Sequence, residues 1–598
     1  MPAIAQRLIA TPFFLPLATL LPIALAAAGC SSSHKPTPPA AQATPHDSGT
    51  PAPAATATPS DLDCAPASAD WSMFGQNACN TAAQPAAGGI SVDTVQNLKT
   101  KWTYNAAGDI SATPAVVGNA VYVADWGGMV SRIDATTGMA VWSKSVGDLV
   151  QSSFSSFISR TTPVVTDDAV IFGTQRSSPD IVVSQGAGAY IIALDPLTGN
   201  LKWKTQMETH PAAVITSSPV LDGTRLYVGV ASLEEGFGLT ASNYQFSFRG
   251  SVAALDLTNN GAILWQTHTI TDAAYYADGG APAAASDGGD DGGTTATEGG
   301  VPPAGPGLSG FAGASVWSSS PTVDRKRHQL YVTTGNNYQA PANVTGPVDG
   351  NWVDSVLALD LDTGKIKWGR SLPQCGMPGG MDVFSLTSPV GPDSDFGCGV
   401  NLFTTTIDSK VTDLVGAGQK CGDYWAFNPD TGDTVWMTEV GPGGSLGGLH
   451  WGTATDGIRI YTEVNNGRGT PWAIRGNGPQ AGQMSSTGLW AALDTATGHV
   501  LWQIADPAMS GPLGGATVDG PTVVVNGVVF AGSMDAMGTM FAFNAATGDV
   551  LWQFQSGGTV YGGPAVANGV VYWGCGYPSG RLGFGTTCKK LYAFSLSQ

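Results

Sequence analysis

Positive charge is scarce in this 598-residue chain: 26 Lys and Arg stand against 45 Asp and Glu, for a net charge of −19. That balance argues against nucleic acid as a partner. Charged residues of either sign make up only 12% of the chain, whereas 80 Gly and 39 Pro leave room for short strands and tight turns rather than helices. The seven His residues form no ligand-spaced cluster, which disfavours zinc. No Cys-x-x-Cys-His occurs, which excludes a covalently attached c-type haem. Seven cysteines remain once Cys30 is set aside, and they fit an oxidising compartment. Spacing does not determine their connectivity; local loops suggest Cys64–Cys79, Cys375–Cys398 and Cys575–Cys588, with Cys421 left over and buried.

The first residues read as a targeting segment. Leu8 to Ala28 is apolar, but Pro12, Pro16 and Pro22 make it a poor spanning helix. It closes on Ala27-Ala28-Gly29-Cys30-Ser31, which resembles a bacterial lipobox. The expectation is a leader over 1–30, export, and anchoring in a membrane of the cell envelope through lipid on Cys30, facing the periplasm. Residues 31–67 are rich in Pro, Ala, Ser and Thr and read as a flexible stalk.

What the chain has in abundance is one phrase: a hydrophobic strand, Asp or Asn, a Thr-Gly or Asn-Gly turn, then a second strand carrying Trp. It recurs seven times, ending at Trp142, Trp203, Trp265, Trp368, Trp436, Trp502 and Trp552. The Asx side chain seeds the turn and Gly supplies its positive φ. An eighth Trp, Trp102, closes a phrase whose beginning is missing, while LYAFSLSQ at the C-terminus is a phrase without its end. Joined, the two halves make one blade and close a ring. The expectation is an all-β, eight-bladed β-propeller over 68–598. A Gly- and Asp-rich tract near 279–307 reads as a disordered insert, and the stretches around 370–415 and 440–485 read as loops folded over one face of the ring.

The repeat is similar to the pyrroloquinoline-quinone (PQQ) repeat over roughly residues 68–598. Outer-membrane assembly scaffold lipoproteins carry the same phrase without quinone, so the phrase reports fold rather than chemistry. Between the phrases, WSMFGQNACNTAAQP, YVGVASLEEG, GASVWSSSPTVDRKRHQLYVTTGNNY, SDFGCGVNLF and VGAGQKCGDYWAFNPDTG resemble polyvinyl-alcohol dehydrogenases, within the quinoprotein alcohol dehydrogenase family. The resemblance implies PQQ bound by Arg160 and Thr216 over a floor formed by Trp317. It implies a metal held by Glu234, Asn336 and Asp395, with Glu235 and Asn337 standing one residue away. Oxygen ligands suit Ca²⁺, and Gly397 occupies the position where lanthanide-using relatives carry a further aspartate. Asp395 also matches the catalytic base and Lys420 the residue beside the quinone oxygens.

The implied reaction is oxidation of a secondary or polymeric alcohol, with electrons leaving to a periplasmic cytochrome c. Departures from the family pattern lie at Phe154 and Ser155, where methanol- and ethanol-oxidising relatives have a vicinal disulfide. Others lie at Ser111, in place of a glutamate, and at His450 or Trp451, in place of an asparagine. The rival readings are a non-catalytic envelope scaffold and a sugar- or polymer-binding protein that has lost the redox step.

Overall fold

The computed structural model describes residues 60–64, 68–86, 88–151, 157–176, 188–239, 244–275, 310–341, 344, 346–376, 382–384, 391–444, 447–508, 517–578 and 585–596. The leader, the stalk as far as residue 59, the tract near 279–307 and the positions Phe154 and Ser155 lie outside them.

Eight antiparallel sheets follow one another along the described chain. Seven are built from consecutive strands, spanning 115–145, 164–208, 213–268, 322–371, 401–439, 447–505 and 523–555; these are blades 1 to 7. Blade 8 takes its three inner strands, Ala565–Ala567, Val570–Cys575 and Lys590–Leu596, from the C-terminus and its outer strand, Leu98–Asn105, from the N-terminus. Leu98 pairs with Leu596 and Trp102 with Ala593, so the split phrase closes the ring. The chain is an all-β, eight-bladed propeller. The second and third strands of a blade are buried on both faces, as in Ala120–Ala124, whereas the outer strand Leu98–Asn105 alternates toward solvent.

The phrase works between blades. Seven of the eight docking Trp residues pack against the turn glycine of the next blade: a Cβ on Gly138 would stand 2.7 Å from Trp102, and one on Gly432 would stand 2.5 Å from Trp368; the eighth, Trp552, meets the split blade and donates to Leu98 O (3.2 Å). The indole N–H donates into the same turn, from Trp102 to Ala135 O (2.9 Å), Trp142 to Pro196 O (3.0 Å), Trp368 to Pro429 O (2.9 Å) and Trp502 to Ala545 O (3.0 Å). A large apolar ring with a polar handle thus seals each seam and satisfies a turn carbonyl.

Two expectations need correcting. Cys64–Cys79 and Cys575–Cys588 are disulfides, but Cys375 and Cys398 are both free. Cys398 is wholly buried in a core cluster with Phe403, Tyr424 and Leu449. Residues 60–64, assigned to the stalk, instead pack on the propeller. Ser60 Oγ bonds Thr404 Oγ1 (2.6 Å), Leu62 joins the core with Tyr331 and Phe427, and Asp61 pairs with Lys326 (2.7 Å).

Candidate functional site

Every blade delivers to the axis the segment that leads into its innermost strand. In blades 3 and 6 that strand is split, Ala213–Val214 from Val220–Asp222 and Gly447–Gly448 from Ala454–Thr455, and Thr216, Ser218 and Trp451 within the breaks line one cavity. The cavity is lined by Phe74, Ser111, Thr113, Arg160, Thr162, Thr216, Ser218, Ser319, Trp451, Pro521 and Tyr561. Apart from Phe74, these come from the lead-in segments of seven of the eight blades, an arrangement that places the cavity on the axis. Its lining offers one guanidinium and several hydroxyls and no carboxylate, a donor set suited to an anionic, carboxylate-bearing ligand. Arg160 lies over the Trp451 ring, 4.4 Å from its centroid, so its charge is positioned by an aromatic face. Thr216 lines the cavity while its hydroxyl donates to Trp317 O (2.9 Å).

Trp317 links this cavity to a second region of opposite character. Its ring meets Trp451 edge-on at 5.2 Å between centroids, and Lys420 Nζ lies 5.1 Å from its own centroid. Lys420 donates to Asp393 Oδ1 (2.8 Å) and Asp395 Oδ2 (3.0 Å), and Asp395 Oδ1 accepts from the Asn336 backbone N–H (2.6 Å). Asp382 accepts from the Ser394 (2.5 Å) and Asp393 (3.2 Å) backbone N–H groups and so fixes the turn that carries Asp395. A Cβ on Gly335 would stand 2.8 Å from Trp317 Nε1 and 3.0 Å from Asp395 Cγ, so glycine is what lets indole and carboxylate approach. The Trp317 Nε1 donor is buried without a partner.

Electrostatics mark the same cluster. Burial first, then the Asp393 charge, raises the Glu235 carboxyl well above its ordinary range. Burial raises Asp354 likewise, reinforced by Asp382 and Asp395. Asp393 is pushed up to about 7, burial outweighing the opposing Lys420 charge. For Lys420 burial favours the neutral amine, but Asp393, Asp395 and Glu235 prevail and its pKa rises. Asp393, Asp395 and Glu235 thus act on one ammonium, and Asp354 and Asp382 act on the two aspartates. Carboxylate oxygens are the donor type that a hard divalent cation takes.

The structure brings Asp395, Lys420, Asn336 and Trp317 together, with Arg160 and Thr216 across the Trp317–Trp451 contact. It does not bring Glu234 into that group. The Glu234 carboxylate accepts from Tyr244 Oη, Ser247 N and Phe248 N, each at 2.9 Å, and lies 3.2 Å from His210 Nε2. Its neighbour Glu235 is the one that couples to Asp393, Lys420 and Asp395. Both sit in the short 3-10 helix Glu234–Leu239, where successive side chains diverge by about 120°. Asn337 is likewise structural: it exchanges side-chain bonds with Asn351 (2.8 and 3.1 Å), whereas Asn336 Nδ2 donates to Asn337 O and Phe384 O (2.8 Å each).

Sequence reasoning passed over Asp354, Asp382, Asp393 and Asp519, and reached His450 and Trp451 only as departures from a family asparagine; His450 Nδ1 pairs with Asp519 Oδ1 (2.5 Å) in the interior. Trp451 has φ +55°, a left-handed conformation that is uncommon for a bulky residue and marks a constrained turn.

A sequence-family profile described as "Outer membrane protein assembly factor BamB" matches residues 94–240 and 486–574. A polyvinyl alcohol dehydrogenase of Pseudomonas sp. is 28% identical over 406 residues, covering 66% of this chain and 55% of the relative. Another, from Sphingopyxis sp. (strain 113P3), is 28% identical over 453 residues, covering 74% of this chain and 60% of the relative. The chain therefore spans somewhat over half the length of the curated relatives it matches. The crystal structure of quinohemoprotein alcohol dehydrogenase from Comamonas testosteroni superposes with a TM-score of 0.59 at 18% identity, over 88% of this chain and 80% of that one. In sequence, then, the chain resembles the polyvinyl alcohol dehydrogenases, and it shares its propeller fold with the solved quinohemoprotein alcohol dehydrogenase.

Proposed function

We propose that this chain is a PQQ- and Ca²⁺-dependent dehydrogenase that oxidises secondary or polymeric alcohols. The observation that carries the reading is the setting of Asp395: bonded to Asn336 N and Lys420, with its carboxylate and the Trp317 Nε1 edge both against Gly335. The acid cluster and the guanidinium-bearing, carboxylate-free cavity are joined through Trp317, which meets Trp451 and accepts from Thr216; together they offer the donor types that a cation and a carboxylate-bearing quinone take. When bound, the quinone supplies the two-electron acceptor for the carbon-bound hydrogen.

The protein's own groups do the rest. Arg160 and the Ser and Thr hydroxyls of the cavity hold the ligand's carboxylates. Trp317 supplies a flat floor, and its buried Nε1–H a donor at the floor's edge. Glu235 in place of Glu234, with Asn336 and Asp395, supplies oxygen ligands for Ca²⁺. Asp395 takes the alcohol's hydroxyl proton at a carboxylate oxygen, and Lys420 holds that carboxylate in position and stabilises negative charge developing nearby. At Gly397 a Cβ would meet Leu449 O at 2.5 Å and His450 Cδ2 at 2.9 Å, so an extra carboxylate of the lanthanide-enzyme kind has no room there. Electrons leave singly to a periplasmic cytochrome c, and lipid on Cys30 keeps the enzyme at the envelope.

The test is calorimetric titration of the apo-protein with PQQ, with and without Ca²⁺, followed by a dye-linked assay on secondary alcohols and polyvinyl alcohol. Calcium-dependent binding, lost in Glu235→Ala, together with turnover lost in Asp395→Ala, is expected. Absence of PQQ binding with either ion would overturn the reading in favour of an assembly scaffold, which the family profile would then describe. Binding without turnover would favour the polymer-binding alternative.

A further inference from the structure

Two thiols stand just outside the machinery described above. Cys375 lies in the short helix Pro373–Gly376, after the outer strand of blade 4, and Cys421 in the turn between Lys410–Gly418 and Asp423–Phe427 of blade 5. Their Sγ atoms and an Asp423 carboxylate oxygen all lie within 4.8 Å of one another. Both cysteines are partly exposed, unlike the inert, buried Cys398. The remaining described cysteines, Cys64–Cys79 and Cys575–Cys588, are paired, so this chain's sulfurs are those of a protein that meets oxidants.

We propose that Cys375 and Cys421 form a third disulfide, a covalent staple beneath Lys420. The two turns it would join are already held by one side chain: Gln419 Nε2 donates to Leu372 O (2.9 Å) and Ser394 O (2.7 Å). Cys375 Sγ lies 3.9 Å from Ser394 Oγ, between the two acids that Lys420 bridges. Lys420 N also donates to Asp395 O (2.8 Å), so the Cys421 turn and the Asp395 turn move as one. The staple's functional weight rests on the reading of Asp395 and Lys420 given above; its existence does not.

The bond forms by thiol–disulfide exchange with a small disulfide donor. One cysteine thiolate attacks the donor's S–S bond and releases one donor thiol. The second thiolate then attacks the resulting mixed disulfide and releases the other. The two cysteines lose two electrons and two protons, which leave on the two donor thiols.

The full chain, incubated with oxidised glutathione, alkylated and digested without reduction, is mapped by mass spectrometry. The expected result is a peptide pair linked through Cys375 and Cys421. Quantitative alkylation of both thiols would overturn the proposal, as would zinc retained by the two reduced thiols after exposure to Zn²⁺. The double variant Cys375→Ser/Cys421→Ser then tests the staple by hydrogen exchange: amides of 372–376 and 419–423 should exchange on the order of tenfold faster than in the oxidised protein. Equal exchange would overturn the stapling role. Neither readout requires cofactor or turnover, so either can fail or succeed independently of the enzymatic assignment.

Discussion

Lys420 Nζ stands 3.0 Å from Asp395 Oδ2. The contact couples an ammonium to the carboxylate that must accept a proton, within a cluster whose other members are also acidic. Lys420→Met removes the positive charge from that cluster. It should tighten Ca²⁺ binding while lowering kcat by about 10²–10³-fold, the usual consequence of losing one charge-stabilising donor. Calcium calorimetry and dye-linked turnover, measured on the same preparation, check the two opposite signs.

Adjacent glutamates should separate binding from folding. Glu235→Gln is expected to abolish calcium binding with little change in thermal midpoint. Glu234→Gln removes a charged acceptor from Ser247 N and Phe248 N and should destabilise the fold by about 1–3 kcal/mol while the protein that remains folded still binds calcium. Chemical unfolding and calcium titration of both variants decide.

Blade docking predicts a large effect from one methyl group. Gly432 has φ +73°, and its added Cβ would stand 2.5 Å from the Trp368 ring. Gly432→Ala should lower stability by about 2 kcal/mol or more, from left-handed backbone strain and from overpacking of the seam. Its signature is a fall in unfolding midpoint, with PQQ affinity unchanged because the turn lies at the outer edge of the blade.

Asp506 gives a pH dependence. Burial pushes its carboxyl up to about 7, against the Ser533 hydroxyl bonded to it at 2.5 Å. The folded state therefore holds a proton between about pH 4 and 7 that the unfolded chain releases, and stability falls as pH rises through that window. Asp506→Asn keeps the contact neutral throughout. Thermal midpoints at pH 4.5 and 8 should show a smaller alkaline loss in the variant than in the parent protein.

The ring was legible because its instructions are local. The Asx-Thr-Gly turn, the glycine beneath a tryptophan and the strand around them all lie within a dozen residues, and the incomplete phrases at Trp102 and Leu591 announced the closure at Leu98–Leu596. Trp317, Asn336, Asp395 and Lys420 each sit in a distinctive segment between phrases, and folding brings them together, with Arg160 across the Trp317–Trp451 contact; the roles given to them rest on the resemblance.

Other features were not local. Glu234 and Glu235 are chemically equivalent in sequence; the phase of one 3-10 turn, set with Glu234 buried against Tyr244, Ser247 and Phe248, selects which of them turns to the acid cluster. Asp354, Asp382 and Asp393 acquire significance only when folding brings their carboxylates to bear on one another and on Asp395. Cys375 has Cys398 as its near neighbour along the chain, yet blade 5 buries Cys398 in its core and presents Cys421 across the turn. The sequence by itself determined the repeat and hence the number of blades, because turn chemistry and seam packing act over short range. Only the tertiary structure decided which acid faces the axis and which thiols meet, because those choices depend on distances between segments that the ring alone brings together.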